Sequence, residues 1–520
     1  MPPYQVIFVQ EILNEILLQI RDDQRDDGLR YRSLSALART CRVVSDPALD
    51  ALWYQHSTLE PFIRLLGEAC VRQSVTKQSQ KLWKTVCIRA PSTSEWSTFL
   101  KYSSRVRILE ASNGPPDNHQ LDRSVFRALL LAKSPLFPNL RRLAWPCHHV
   151  PDDIADDPAF LISLITRELQ ALQVNLRPES PAYPPLLQKL HIDCPHLREV
   201  SLQCGDNMES FLALSDYLIG SSPLEKIRLS YPFHALLWDA TANLPNLRSL
   251  EISLPEDTSG RLLRRQQVIH PFPKLRGLHI LSLDVPPLMD FLGCYSYPLV
   301  QSLSIYVEDE IMPTGALVSD LITTIHNKFG HPTLREVVIH SDGVYDDDGP
   351  YQNTHIISSH TLRPLLTFRN LTQLCLGGRW CMDIDDAFIC DISLAWPHMS
   401  AMRLFENAIW PMPSKVTLPG LLPLAQRCTK LELCGIALNA SGPPASLPSD
   451  KVVHEALSVF YFGCSPIDDV RSTVAFLSEV FPNLASLDSW NGSGHLNLKA
   501  GSLEYEYRER WRMVERMLTA

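Results

Sequence analysis

The chain has 520 residues, of which 45% are hydrophobic and 20% charged, more than one core of about 100–200 residues needs; disorder and collagen are excluded. Lys and Arg total 48 against 57 Asp and Glu, a formal charge of -9 without the basic excess that a phosphate backbone attracts, so no nucleic-acid partner is expected. The 13 Cys are scattered, none as Cys-x-x-Cys, and with neither a signal peptide nor an 18-residue apolar run the reading is a cytoplasmic or nuclear protein with no membrane partner.

In chain order, the first sixty residues predict three short helices. Glu11 to Ile20 spaces its apolar residues as one helix, the charge-rich stretch Arg21 to Arg32 reads as a loop, and Ser33 to Arg42 as a second helix. A third is expected to begin with Asp46 as N-cap and Pro47 at its first position, running toward Trp53. Three such helices make a small core that partner burial would help.

Beyond them one frame recurs, x-Pro-x-Leu-x-x-Leu-x-Leu. It is visible in Phe137-Pro-Asn-Leu-Arg-Arg-Leu-Ala-Trp145, Leu244-Pro-Asn-Leu-Arg-Ser-Leu-Glu-Ile252 and Phe272-Pro-Lys-Leu-Arg-Gly-Leu-His-Ile280. Aligning its first apolar position gives Trp83, Val106, Leu140, Leu169, Leu197, Leu224, Leu247, Leu275, Val300, Leu334, Leu371, Met399, Cys428, His454 and Leu484. The step of about 29 residues is that of a leucine-rich repeat. The second and third apolar positions lie two apart and so share the core side of a short strand. Between strands the period changes to three and four, as in Asp320 to Phe329 and Asp469 to Val480, which predicts helices. Many of the prolines then end a helix just before a repeat strand, which gives the excess of 40 Pro over 21 Gly a place, while those in inserted loops, such as Pro178 to Pro185 and Pro443-Pro444, stay unassigned. The fold class expected is therefore an α/β solenoid, a leucine-rich-repeat horseshoe of about 15 units with a parallel inner sheet and outer helices, preceded by a small all-α module. The domain division is 1–60, 61–495 for the repeats and 496–520 for a C-terminal helical cap with Trp511, Val514, Met517 and Leu518 on one side.

The run Glu11-Ile-Leu, then Leu34 to Arg42, then Ser45 to Trp53, resembles the F-box of fungal F-box/leucine-rich-repeat proteins. The resemblance is specific over Phe8 to Trp53, and departs from the family in lacking a proline at the start of the first helix, where Phe8-Val9-Gln10 stands. It implies a substrate-recognition subunit of a Skp1-cullin-RING ubiquitin ligase. The partners would be a Skp1-type adaptor on the F-box and an unknown protein substrate on the repeats. Carried over, the adaptor-binding surface would comprise Ile12, Leu13, Ile16, Leu37, Cys41 and Trp53. Two other readings remain: a non-ligase repeat scaffold whose helices only cap the solenoid, and an enzyme with a scattered site.

For chemistry, the chain has no Walker A loop, nucleophile elbow or His-Glu-x-x-His, and no catalytic, cofactor or metal residues are assigned. Cys147-His148-His149 with Asp152-Asp153, and the acidic run Asp342 to Asp348, read as solvated loops. Strand residues between the core positions face the other way. Tyr306, Arg403, Phe405, Phe460 and Trp490 are the aromatic and Arg residues expected to line a substrate-docking face.

Overall fold

The structure is a computed structural model described over residues 10–22, 27–77, 80–110, 119–132, 134–146, 150, 154, 157–176, 180, 183–202, 208–221, 223–232, 235–254, 271–308, 313–341, 355–378, 380–404, 414–442, 452–489 and 502–518. The chain forms two compact units, 1–231 and 232–520. The expected boundaries at 60 and 495 fall inside them.

The first unit opens with α1 (Gln10–Asp22), α2 (Asp27–Leu37) and α3 (Arg42–Leu52). Leu13, Leu17, Leu34, Val44 and Ala48 fill the space between the three helices. Two limits differ from the sequence reading. Helix α2 begins six residues early, and α3 begins at Arg42, with Cys41 as an extended N-cap and Pro47 inside the helix. Asp46 lies inside the helix and so does not cap it; its carboxylate accepts instead from Arg105 Nη2 at 2.8 Å.

The repeat strands of this unit are β1 (Gln55–His56), β4 (Ile108–Leu109), β6 (Arg142–Trp145), β7 (Ala171–Val174), β8 (Glu199–Leu202) and β9 (Lys226–Pro232), all paired in parallel in that order. Between β1 and β4 come α4 (Glu60–Arg64), the antiparallel hairpin β2 (Cys70–Lys77) and β3 (Gln80–Cys87), and α5 (Thr93–Ser103). Strand β5 (His119–Leu121) joins β3 in a separate three-stranded sheet and leads to α6 (Arg123–Leu129). Helices α7 (Pro158–Leu164), α8 (Tyr183–Asp193) and α9 (Met208–Gly220) alternate with the later repeat strands. Trp83 thus belongs to a hairpin, not to a repeat, which corrects that unit. An apolar alternation marks a strand but not the direction of its partner. Trp53, with His56 three residues on, takes the vacated place as the first repeat.

The second unit repeats the pattern with α10 (Ala235–Ala242), β10 (Ser249–Ser253), β11 (Gly277–Ser282), α11 (Val285–Gly293), β12 (Ser302–Val307), α12 (Gly315–Lys328) and β13 (Glu336–Ser341). It continues through β14 (Ile356–Ser358), α13 (Ser359–Leu362), β15 (Gln373–Gly377), β16 (Cys381–Asp383), α14 (Asp386–Ala395), β17 (Ala401–Leu404), α15 (Leu422–Arg427) and β18 (Leu433–Ile436). It ends with β19 (Val459–Gly463), α16 (Val470–Val480), β20 (Ser486–Ser489) and α17 (Leu503–Leu518). Among the described residues β10-β11-β12-β13-β15-β17-β18-β19-β20 pair in parallel in that order, while β14 and β16 form a small sheet of their own.

Each unit is thus a leucine-rich-repeat α/β solenoid. The register is fixed by one repeated bond, in which the residue after the first apolar position donates its amide to the carbonyl of its counterpart one repeat earlier. Arg276 to Arg248, Gln301 to Arg276, Arg335 to Gln301, Thr372 to Arg335 and Ser400 to Thr372 all do so at 2.7–2.8 Å. The apolar triplet lies beneath, as Leu247, Leu250 and Ile252 or Leu275, Leu278 and Ile280, each at most 1% exposed. Helices stop where proline predicts: α8, α10, α14 and α16 each end two residues before Pro195, Pro245, Pro397 and Pro482 respectively, with a short turn between, except that α10 ends three before. Helices α14 and α16 are capped at their starts by side chains, Asp385 accepting from the Phe388 amide and Asp469 from the Arg471 and Ser472 amides.

The same ladder corrects two repeats. Glu432 donates to Ser400, Ser458 to Glu432 and Ala485 to Ser458, so the first apolar positions are Leu431 and Leu457 rather than Cys428 and His454. Both errors are shifts of three. An odd shift on a period of two turns every side chain of the strand to the opposite face.

Candidate functional site

The outward face of each sheet carries the residues that alternate with the buried triplet. In 1–231 this face includes charged residues that are paired: Arg142 Nε reaches Glu110 at 3.0 Å and its Nη2 reaches Glu199 at 4.0 Å. Arg198 meets Glu225 at 3.3 Å. The hydrogen bond that Arg142 donates to Glu110 raises its guanidinium above its ordinary value, against the opposing effect of burial.

In 232–520 the outward face carries several aromatic and cationic side chains. Tyr306 on β12 is 46% exposed, and its ring lies 6.1 Å from that of His340 on β13. His340 stands opposite Gly377 on β15, where a Cβ would collide with the imidazole. Half-buried Arg403 on β17 stands opposite Gly435 on β18, which in turn stands opposite Tyr461 on β19; the guanidinium lies 4.7 Å over the Tyr461 ring. The two glycines leave room for long neighbours to lie sideways across the sheet.

Of the five residues expected to dock a substrate, Tyr306 and Arg403 lie on this face, separated by three strand spacings, about 14 Å at the usual sheet repeat. Phe460 is a correction. It is 1% exposed, with its ring stacked 4.0 Å from Phe462, because the repeat begins at Leu457 and the odd shift sends Phe460 into the core. Tyr461 is the residue displayed instead, and the rule that would have found it is the Leu431, Leu457 and Leu484 spacing of 26 and 27. Phe405 and Trp490 lie outside the described residues.

The helical module separates its expected surface into three groups. Ile12 and Ile16, one turn apart on α1, are 40% and 41% exposed, and Cys41 is exposed as well. Leu37 is partly buried against the three-helix core. Leu13 is a correction: at 3% exposure it is part of that core, because with Leu17 it forms the stripe of α1 that meets α2 and α3. Trp53, like Leu37, is partly covered. It ends α3 and takes the first apolar place of the first repeat, half-buried with its ring 4.9 Å from Tyr102, 5.2 Å from His56 and 5.3 Å from Phe62. Exposed Val43 and Leu29, at 46% and 61%, add apolar surface that the sequence reading did not select.

Beside this cluster, burial first and then the Arg30 charge lower the His56 imidazole to about 4, and its Nε2 is buried without a hydrogen-bond partner. A groove of about 490 Å³ runs between α1 and α3, lined by Asn14, Leu17, Leu18, Pro47, Asp50 and Tyr54 among others. Among the described residues, no group of three or more His, Cys, Asp or Glu assembles in metal-binding geometry, and no helix is long and apolar enough to cross a membrane. Cys147-His148-His149, Asp152-Asp153 and Asp342 to Asp348 lie outside the described residues.

No protein-family model matches the chain, and no curated protein matches it. Among solved structures, it is similar to a chain in the crystal structure of the Rad7 and Elc1 complex in yeast, with 15% identity and a TM-score of 0.38, covering 68% of this chain and 76% of that one. It is also similar to the leucine-rich repeat-containing protein LegL7 from Legionella pneumophila, with 12% identity and a TM-score of 0.30, covering 70% and 94%. The solenoid assignment rests on the chain's own register and burial.

Proposed function

We propose that the chain is an F-box-like substrate-recognition subunit of a Skp1-cullin-RING ubiquitin ligase, acting in the cytoplasm or nucleus. In this reading the helical module takes a Skp1-type adaptor, the outward sheet face of 232–520 takes a protein substrate, and the chain itself catalyses nothing. The observation that carries the reading is the exposure of Ile12 and Ile16 on a helix whose other stripe already fills the module's core. Apolar side chains left in water one turn apart, with Val43 exposed on α3, suit a partner that buries them.

The substrate half is supported by Tyr306, His340, Arg403 and Tyr461. Aromatic residues and Arg on an open face are the side chains that dominate protein interfaces.

A pull-down with a Skp1-type adaptor tests the adaptor half. The whole chain should retain the adaptor, and Ile12→Asp with Ile16→Asp should abolish retention while leaving the helical signal and melting curve intact. If the unaltered chain retains no adaptor, the reading fails and a non-ligase interaction scaffold takes its place.

A further inference from the structure

Cys70 opens β2 and Cys87 closes β3, and the antiparallel register places them directly opposite one another at the base of the hairpin. Opposed residues in such a ladder alternate between hydrogen-bonded pairs and non-hydrogen-bonded pairs, the latter bringing Cα atoms to about 4.5 Å. The Ile88 amide donates to the Ala69 carbonyl at 2.9 Å, which makes the neighbouring pair the hydrogen-bonded one. The Cys87 amide turns away to Ser124 Oγ at 2.9 Å instead of crossing the ladder. Cys70 and Cys87 therefore occupy a non-hydrogen-bonded site, whose spacing falls at the near end of the 4.4–6.8 Å range that a disulfide spans.

Both thiols are free and half-buried, so a small oxidant has access to them. They also interact directly, since the Cys87 thiol contributes, after burial, to pushing the Cys70 thiol up to about 12. The Cys87 thiol donates to the Arg89 carbonyl at 3.1 Å.

We propose that Cys70 and Cys87 are a reversible redox site, closing into a disulfide across the base of the β2–β3 hairpin when the chain meets a low-molecular-weight disulfide. The Cys87 thiolate attacks one sulfur of the oxidant, forming a mixed disulfide and releasing one reduced thiol. The Cys70 thiol then loses its proton to water and attacks the Cys87 sulfur, expelling the second reduced thiol. The protein thus loses two hydrogens, and the oxidant is reduced to two thiols. The order follows from ionisation, because the thiol held up by burial is the poorer first nucleophile. Closure staples a hairpin inserted between two repeat strands and leaves the repeat ladder untouched.

The test treats the full chain with oxidised glutathione, alkylates the remaining thiols under denaturing conditions and maps the peptides without reduction. The expected product is one cross-linked peptide pair joining Cys70 to Cys87, lighter by two hydrogens and released by dithiothreitol. Cys70→Ser should convert the product to a stable glutathione adduct on Cys87. In the oxidised wild type, hydrogen exchange should slow at least several-fold across 70–87 and stay unchanged in β10 to β13. Recovery of both cysteines as alkylated peptides, or as separate glutathione adducts in the wild type, would overturn the proposal. So would cross-links that join either one preferentially to another cysteine.

Discussion

Arg403 lies 4.7 Å over the ring of Tyr461, although the two stand on strands separated by a third. Two strand spacings amount to about 9.6 Å, and the contact closes only because the intervening residue is Gly435. A double-mutant cycle with Arg403→Met and Tyr461→Leu should return a coupling of about 0.5–1 kcal/mol, the usual size of a partly exposed cation–π pair. Gly435→Leu should erase the coupling by itself. A coupling within error of zero in the parent chain would reduce the pair to mere neighbours.

His56 should make the first unit sensitive to acid. Its folded value near 4 lies below the ordinary 6.5, so the unfolded chain takes up a proton that the folded chain refuses. Stability from this group is complete above about pH 6.5 and falls as pH drops toward 4, by up to about 3 kcal/mol at the conversion of 1.36 kcal/mol per unit. Urea unfolding of wild type and His56→Leu between pH 7.5 and pH 4 isolates the effect as a difference. The wild type should lose the larger share of its midpoint over that window, and parallel curves would refute the assignment.

The C-terminal helix α17 is held by one side chain above the rest. Trp511 is fully buried, stacks 4.3 Å from Phe462 and donates Nε1–H to the Ser465 carbonyl at 2.9 Å. Val514 is buried beside it on the same stripe, whereas Met517 is half exposed, so the expected four-residue face reduces to two firmly buried members. Trp511→Ala should cost about 3–5 kcal/mol of α17 docking. Amides of 503–518 should then exchange close to the rate of an unprotected chain, while Met517→Ala should leave their protection unchanged.

Gly378 holds φ +143, a conformation that side chains avoid, and an added Cβ would lie 2.7 Å from the Trp380 ring. Trp380 is itself buried and bonded to the Pro313 carbonyl at 2.8 Å, so it has little room to yield. Gly378→Ala should destabilise the chain by about 1–3 kcal/mol through backbone strain, with further loss from the displaced indole. Thermal unfolding of the variant checks this, and an unchanged Tm would mean that the turn has another accessible conformation.

Leu13 and Ile12 are adjacent in sequence and opposite in consequence. Leu13→Asp should unfold the three-helix module by placing a carboxylate in its core, and Ile12→Asp should change stability by less than about 0.5 kcal/mol. Circular dichroism melts of the two variants separate the roles, and equal effects would contradict the burial pattern.

The sequence alone determined the repeat, its parallel strands and the helices that proline ends, because spacing, β-strand alternation and proline's missing amide are local properties. The frame around Leu247, Leu275 and Leu334 could be read without a structure, since each residue of the triplet is apolar for the same reason in every unit. It failed at Leu431 and Leu457, where Cys428 and His454 offered a competing start three residues earlier. Only the amide ladder through Ser400, Glu432, Ser458 and Ala485 decides between them, and that ladder is a contact between repeats. The same limit applies to the site. Aromatic residues in the C-terminal half were legible, but which of Phe460 and Tyr461 faces out depends on register, and the reach of Arg403 to Tyr461 depends on Gly435 lying between them. Likewise the apolar stripe of α1 named Ile12, Leu13 and Ile16 together, and tertiary packing alone separated the one that fills the core from the two that meet water, because a helix has two sides and its sequence does not say which one its neighbours will cover.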